Sequence, residues 1–373
     1  LIFPSTSNRP ILLVGNGVRS ASAEHLLYEI IEKYHIPVLT TMNAVDLVQD
    51  QYHIGFIGTY GNRCANAIVN ECDLVIAVGA RLGLRQVGKR KEHFAPKAKL
   101  IRVDIDQAEL GRVIKPDEEQ YNMDAQEFLE LLLKESIPDY TLWQQSCMKI
   151  KSLLDEYDDT DGNKVVKEIG KVLPENPLVA VDVGQHECWV AQSLELRGRK
   201  GRILIGGGYG AMGTALPFSI GVAYAYQGRP VYCLTGDGGM QMNLQELEVL
   251  KRDNLPIKVL IINNETLGKI SEIQRKGYGN RFAQTTKESG YTVPDFECIA
   301  SSYGIKATTI NDVTRIRDFQ VWMNDDEPCV INIMLPDDTM LIPKIKWETY
   351  QEEPELRGDI LEKVNSILNG DVK

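Results

Sequence analysis

The chain has 373 residues, 43% hydrophobic and 25% charged, ordinary proportions for a globular protein and enough for two or three domains with cores of their own. A formal net charge of −11, with no basic stripe interleaved with aromatics, argues against a nucleic-acid partner, and no apolar run reaches the length of a membrane span. No signal-peptide pattern opens the chain. The seven cysteines, Cys64, Cys72, Cys147, Cys188, Cys233, Cys298 and Cys329, are scattered singly without zinc-type pairing, which predicts reduced thiols in a cytoplasmic protein.

From Pro10 to about Ala108 strand and helix alternate. Residues 11–14, 37–40, 74–78 and 100–103 are apolar strand candidates separated by amphipathic stretches, the signature of an α/β fold with a doubly wound parallel sheet, assigned to residues 1–109. Gly15-Asn16-Gly17 after the first strand lacks the third glycine of a dinucleotide fingerprint and is read as a tight turn. Residues 124–157 read as helix, with Phe128, Leu129, Leu131 and Leu132 apolar and a break at Pro138, so residues 110–160 are expected to be a helical linker. A second doubly wound domain is expected over 161–345, and an acidic helical tail over 346–373.

The second region holds the most informative feature, Gly236-Asp237-Gly238 followed at long range by Asn263-Asn264. Residues 231–235 and 257–262 have strand character, and Leu244, Leu247, Leu250 and Leu255 between them suit one helical face. In a right-handed strand–helix–strand crossover both strands end on one edge of the sheet, which makes Asp237 and Asn264 neighbours. One carboxylate, one amide oxygen and a diphosphate suit Mg²⁺, while Gly238 and Gly239 let backbone N–H groups approach phosphate closely. A Gly-Asp-Gly alone would be read as a turn at a strand end.

Joined to Met242-Asn-Leu-Gln-Glu-Leu247 and Asn254-Leu-Pro256, this pattern resembles the diphosphate-binding domain of thiamine diphosphate enzymes, in wording closest to the acetolactate synthase branch. The resemblance runs from about Asn8 to about Pro343. It implies thiamine diphosphate and Mg²⁺ as cofactors, with Asp237, Asn264 and the main-chain carbonyl of Thr266 as metal ligands. Val183-Gly184-Gln185-His186 resembles the segment that holds the diphosphate, and Gly210-Ala-Met212-Gly213 the segment under the cofactor's bend, where Met212 would wedge between the two rings. Gly236, Gly238, Gly239, Leu267 and Gly268 complete the implied cofactor-binding set. Arg85 aligns with an arginine near the substrate carboxylate, a surface salt bridge being the alternative. Lys269 and Ile273 stand where that branch carries methionine and tryptophan, implying an acceptor other than pyruvate or 2-oxobutyrate. The implied catalytic set is Met212, Arg85 and Lys269, with residues 269–290 as a cover over the site.

The first domain resembles the central domain of the same group, which holds FAD. Gly79-Ala-Arg81, Arg85, Gly88-Lys89 and Asp104-Ile-Asp106 fall at its flavin-contacting and active-site segments, whereas Tyr60 and Leu82-Gly83-Leu84 depart from it, so FAD stands beside an empty or adenosine-type site and a purely structural role.

The implied activity is decarboxylation of a 2-keto acid, pyruvate first, and transfer of the two-carbon unit to a second carbonyl. Two alternatives stay open, a relative using a keto sugar or acyl acceptor and a non-catalytic cofactor-binding chain. The group's activating glutamate belongs to an N-terminal pyrimidine-binding domain that these residues do not contain. The chain opens on a linker-like Leu-Ile-Phe-Pro, is expected to be part of a longer protein, and alone is expected to turn over nothing. A homo-oligomer through the diphosphate-binding domain is also implied.

Overall fold

A computed structural model describes residues 6–48, 51–346 and 348–370; the opening Leu-Ile-Phe-Pro lies outside them. The chain forms two compact units, Leu1–Asp159 with Ile342–Lys373, and Thr160–Leu341. No helix of the described residues is long and apolar enough to cross a membrane, and all seven cysteines are free thiols.

The first unit contains six parallel strands, β1 Pro10–Val14, β2 Val38–Thr40, β3 His53–Phe56, β4 Leu74–Val78, β5 Lys99–Asp104 and β6 Glu119–Asn122, in the order β3-β2-β1-β4-β5-β6. Strands β1 and β4 are buried along their whole length, as expected where helices cover both faces of a parallel sheet. At the β1/β4 switch the backbones touch: a Cβ on Gly15 would lie 2.1 Å from the Gly79 carbonyl oxygen. Gly15-Asn16-Gly17 is thus a close backbone crossing that opens the helix Gly17–Ser20.

The second unit repeats the architecture with β7 Leu178–Val181, β8 Arg202–Ile205, β9 Val231–Gly236, β10 Ile257–Asn263, β11 Lys306–Ile310 and β12 Cys329–Met334, in the order β11-β12-β10-β9-β7-β8, all parallel. The expectation of two doubly wound α/β domains holds. The helix after β9 differs from its sequence reading. It starts at Asp237, ends at Met242, breaks at Asn243, and resumes through a 3₁₀ turn into Leu247–Arg252.

Two boundaries are corrected. Of residues 110–160, expected as a linker, 110–159 belong to the first unit and Thr160 opens the second. Polar β6 closes the sheet edge, and the helices Ala125–Leu133 and Thr141–Tyr157 bury Phe128, Leu129, Leu132, Trp143, Ile150 and Leu154 in the core that holds β1 and β4. The Trp143 indole N–H donates to the Pro10 carbonyl at 3.0 Å. The apolar stripe of these helices needs a core to cover it, and the first sheet supplies one. The C-terminal segment returns to the same unit at Ile342 rather than forming a separate tail from 346. It makes a short antiparallel pair, β13 Lys344–Ile345 and β14 Glu352–Glu353, then the helix Gly358–Asn369. Ile345, Tyr350, Ile360 and Val364 join the first core.

A buried guanidinium staples both ends of this unit. Arg63, at the start of the helix Arg63–Glu71, donates to both Asp158 oxygens at 2.8 and 2.9 Å, to Glu352 Oε2 at 3.2 Å and to the Pro354 carbonyl at 2.9 Å. Asn66 donates to the other Glu352 oxygen at 3.0 Å. Asp158 lies just before the chain leaves for the second unit, and Glu352 lies after its return. Arg63→Met, which leaves two carboxylates without their cation, is expected to lower the unfolding free energy in urea by about 3–5 kcal/mol. Burial raises the Glu352 carboxyl from 4.5 to about 7, with Arg63 opposing. A folded value above the unfolded one gives stability that is fully present below pH 4.5 and lost as the pH rises through about 7. Urea melts across that window should show this slope in the wild type, and Glu352→Gln should flatten it.

Candidate functional site

In the second unit the chain leaves β7 towards β8 on one side and leaves β9 towards β10 on the other. The crevice at the carboxyl ends of β7 and β9 is therefore a topological switch point, where open α/β sheets bind ligands. The register fixes which residues meet there. Val181 pairs with Leu234 and Ile262 with Gly236, so Asp182, Asp237 and Asn263-Asn264 emerge at one edge.

Asp237 opens its helix and is buried, and burial pushes its carboxyl up from 3.8 to about 7. The Tyr291 hydroxyl donates to its Oδ2 at 3.3 Å and in turn accepts from Gln241 at 3.0 Å. Asn264 donates through Nδ2 to Gln185 Oε1 at 3.3 Å, while Gln185 donates to the Thr339 carbonyl at 3.2 Å. With its nitrogen turned to Gln185, the Asn264 amide keeps its oxygen for another partner. Thr266 follows Glu265, whose φ of 53° turns the chain, and its buried Oγ1 has no hydrogen-bond partner. Among the described residues no cluster of three or more His, Cys, Asp or Glu side chains could hold a metal. A Mg²⁺ here would draw on one carboxylate, an amide oxygen, a carbonyl and the phosphate itself, a donor set that this hard cation accepts.

The glycines form a cradle that side chains would fill. A Cβ on Gly236 would stand 3.1 Å from the His186 ring, one on Gly238 would stand 2.6 Å from Leu267 and 3.0 Å from the Met212 methyl, and one on Gly239 would stand 2.1 Å from Asp182 Oδ2. A Cβ on Gly268 would meet Gln185 Oε1 at 1.9 Å, and one on Gly184 the His186 ring at 2.4 Å. His186 is buried on the helix Gln185–Ser193, and its Nε2 has no hydrogen-bond partner. Burial lowers its pKa to about 4, so the ring is neutral at pH 7; its other nitrogen meets the Asp182 backbone, and Nε2 can donate to an anion only in the tautomer that gives up that bond. An orphaned ring nitrogen beside a glycine turn is the feature that fits a diphosphate most directly.

Met212 is partly exposed, with its methyl over Gly238, in a loop whose Gly210 and Gly213 take φ of 65° and 82°. Val183 donates its N–H to Asp182 Oδ1 at 2.9 Å, and its side chain lies 3.5 Å from where a Gly210 Cβ would be. Leu267 caps the helix Gly268–Gly277, and Lys269 Nζ lies 3.4 Å from the buried Cys188 sulfur. Ile270 and Ile273 on that helix are exposed, and of residues 269–290, expected as a cover, 269–277 are regular helix. The structure thus groups Val183, Gly184, Gln185, His186, Gly210, Met212, Gly236, Asp237, Gly238, Gly239, Asn264, Thr266, Leu267, Gly268 and Lys269 in one unit. Arg85 lies in the other, on the helix Leu84–Val87, where its carbonyl accepts from the Thr59 N–H at 2.7 Å.

Three residues escaped the sequence reading. Asp182 ends a buried strand, a signal as legible as that of Asp237. Thr235 lay in plain view on β9. Tyr291 sits in an irregular segment far along the chain, and only the fold brings it to Asp237.

Several residues of the segments assigned to FAD are bonded to neighbours in the first unit. Arg81 pairs with Glu109 at 2.8 Å, Asp106 caps its helix through the Ala108 N–H, and Asn122 donates to the Asp104 and Ile105 carbonyls.

The family model described as "Thiamine pyrophosphate enzyme, C-terminal TPP binding domain" matches residues 182–333, and the one described as "Thiamine pyrophosphate enzyme, central domain" matches residues 5–132. An acetolactate synthase large subunit of Pyropia yezoensis is 33% identical over 352 residues, covering 91% of this chain and 59% of that protein. The acetolactate synthase isozyme 2 large subunit of Escherichia coli K12 is 32% identical, covering 89% and 60%, and a probable acetolactate synthase large subunit of Methanocaldococcus jannaschii is 32% identical, covering 88% and 58%. The chain spans less than two thirds of the length of these relatives. With both domain types matched in order, and with a carboxylate, amide and glycine cradle at the switch point of the second, the chain belongs to the thiamine pyrophosphate enzymes.

Proposed function

We propose that the second unit binds the diphosphate of thiamine diphosphate through Mg²⁺, and that the protein decarboxylates a 2-keto acid, pyruvate first, and passes the two-carbon unit to a second carbonyl. The observation that supports this is that buried Asp237, the Asn264 amide and the buried His186 ring beside Gly236 come to one edge of the sheet. Asp237, Asn264 and the Thr266 carbonyl would hold the metal, and His186 with the Gly238 and Gly239 backbone would hold phosphate oxygens. Bound there, thiamine diphosphate supplies the electron sink that decarboxylation of a 2-keto acid requires. Met212, over Gly238, would support the cofactor's bend, and Lys269 adds a cation on the same side of the unit. The activating glutamate and the pyrimidine-binding domain would come from elsewhere in the protein or from a partner.

Lys269 and the exposed Ile273 favour a second reading, in which the acceptor is a keto sugar or another polar carbonyl compound. Assembly through this unit is supported by the helix Ala215–Ala225, which is apolar on all sides and leaves Phe218 and Tyr224 exposed.

Products formed from pyruvate, Mg²⁺ and thiamine diphosphate, with and without a keto sugar, separate the readings by mass spectrometry. Acetolactate in both mixtures marks the first reading, and a two-carbon adduct of the sugar marks the second. Asp237→Asn is expected to weaken Mg²⁺-dependent cofactor binding by more than about tenfold in calorimetry. The metal needs the carboxylate, whereas burial holds that group protonated below about pH 7. Mg²⁺ affinity should therefore fall about tenfold per pH unit below 7 and level off above it, and a pH-independent affinity between 5 and 7 would contradict the assignment.

A further inference from the structure

The fully buried Asp182 carboxylate is outside the proposed metal set and stands behind Gly239, and it is the most heavily bonded side chain at the switch point. Its Oδ1 accepts from the Val183 N–H at 2.9 Å, the Thr214 N–H at 3.2 Å and the Thr214 hydroxyl at 3.4 Å. Its Oδ2 accepts from the Gly213 N–H at 2.9 Å and the Thr235 hydroxyl at 3.1 Å. These five bonds tie three separate pieces of chain together: the end of β7, the end of β9, and the loop 210–214 that carries Met212. Gly239 has no Cβ at the place where one would strike Asp182 Oδ2 at 2.1 Å, so the carboxylate is also wedged against the helix that begins at Asp237. The Met212 loop has little else to hold it. Gly210 and Gly213 both take left-handed φ, Tyr209 is fully exposed, and further anchors on this stretch are the Asn243 amide, which donates to the Gly213 carbonyl, and the Phe218 N–H, which donates to the Thr214 carbonyl at 3.0 Å.

We propose that Asp182 is a positioning residue for the cofactor's organic half: it fixes the height of Met212 over Gly238 and so sets how well the site discriminates thiamine diphosphate from bare diphosphate. This rests on reading the site as a thiamine diphosphate cradle. The division of labour follows from where the bonds go. None of the five side-chain bonds of Asp182 reaches Asp237, Asn264 or His186, and its link to the His186 ring runs through the Asp182 backbone and charge. Met212, one residue before Gly213, moves with the Gly213 and Thr214 N–H groups, and charge-assisted bonds from backbone N–H to a buried carboxylate are the strong kind.

Asp182→Asn keeps shape and volume but turns one acceptor oxygen into a donor that faces either the Gly213 N–H or the Thr214 N–H. The experiment titrates the protein with inorganic diphosphate and with thiamine diphosphate, both at saturating Mg²⁺, and reads two dissociation constants for each variant. Wild type is expected to prefer thiamine diphosphate. Asp182→Asn should keep diphosphate affinity within about threefold and lose about tenfold of the preference. Thr235→Val, which removes one bond to Oδ2 and leaves both backbone bonds, should shift the ratio the same way by about threefold, and it decides the matter should Asp182→Asn fail to fold. A preference unchanged in the folded variants overturns the proposal. So does an equal loss for both ligands, which would mark Asp182 as general scaffold. If wild type binds neither ligand, the cofactor reading of the site falls, and the proposal for Asp182 falls with it.

Discussion

Parallel pairing of β9 with β7 on one side and β10 on the other is the constraint on which the site depends. Side chains alternate along each strand, and a slip of one residue would carry Asp182 or Asn264 away from the edge that Asp237 occupies. The register is held by strands buried along their whole length, with Val231, Leu234, Val259 and Ile261 at 0% exposure. Three chain segments remote in sequence are thus delivered to one crevice by strand pairing and apolar packing, and the polar contacts lie at the edge so defined.

Burial has a cost at this edge, and the groups there meet it differently. Asp182 is satisfied by its own neighbours, with five donors around two oxygens. Asp237 has the Tyr291 hydroxyl, and its carboxyl is held near neutrality by desolvation. His186 keeps a buried nitrogen with no partner. Buried polar atoms are nearly always bonded, so a carboxylate raised in pKa beside an orphaned imidazole nitrogen marks where a cation and an anion would relieve the strain. The same arithmetic in the first unit gives a closed solution, in which Arg63 answers both Asp158 and Glu352 and the chain's exit and return are joined.

Much of this was legible in the sequence because the decisive strands are apolar, β-branched and end in residues of special chemistry. Residues 231–235 and 257–262 announce both the sheet and the place where it stops. The edge strands were not legible. β6 is Glu-Gln-Tyr-Asn and gains its conformation from β5 rather than from its own composition, and β3 carries Gly55 in mid-strand. Residues 110–160 looked like a linker because an amphipathic helix shows that it has an apolar face and not which core receives it. The break at Asn243 was missed for a related reason, since Leu244, Leu247 and Leu250 keep a helical spacing directly after it. Tyr291 and the bonds of Asp182 are tertiary facts that no local pattern records.

The most direct test of the account is calorimetric titration of the protein with thiamine diphosphate, with and without Mg²⁺, at pH 8, where Asp237 is ionised. The account predicts saturable one-site binding that requires the metal and is displaced by inorganic diphosphate. Binding of equal strength after chelation of divalent cations, or binding that diphosphate does not displace, would contradict the assignment of Asp237, Asn264 and His186 to a metal–diphosphate clamp.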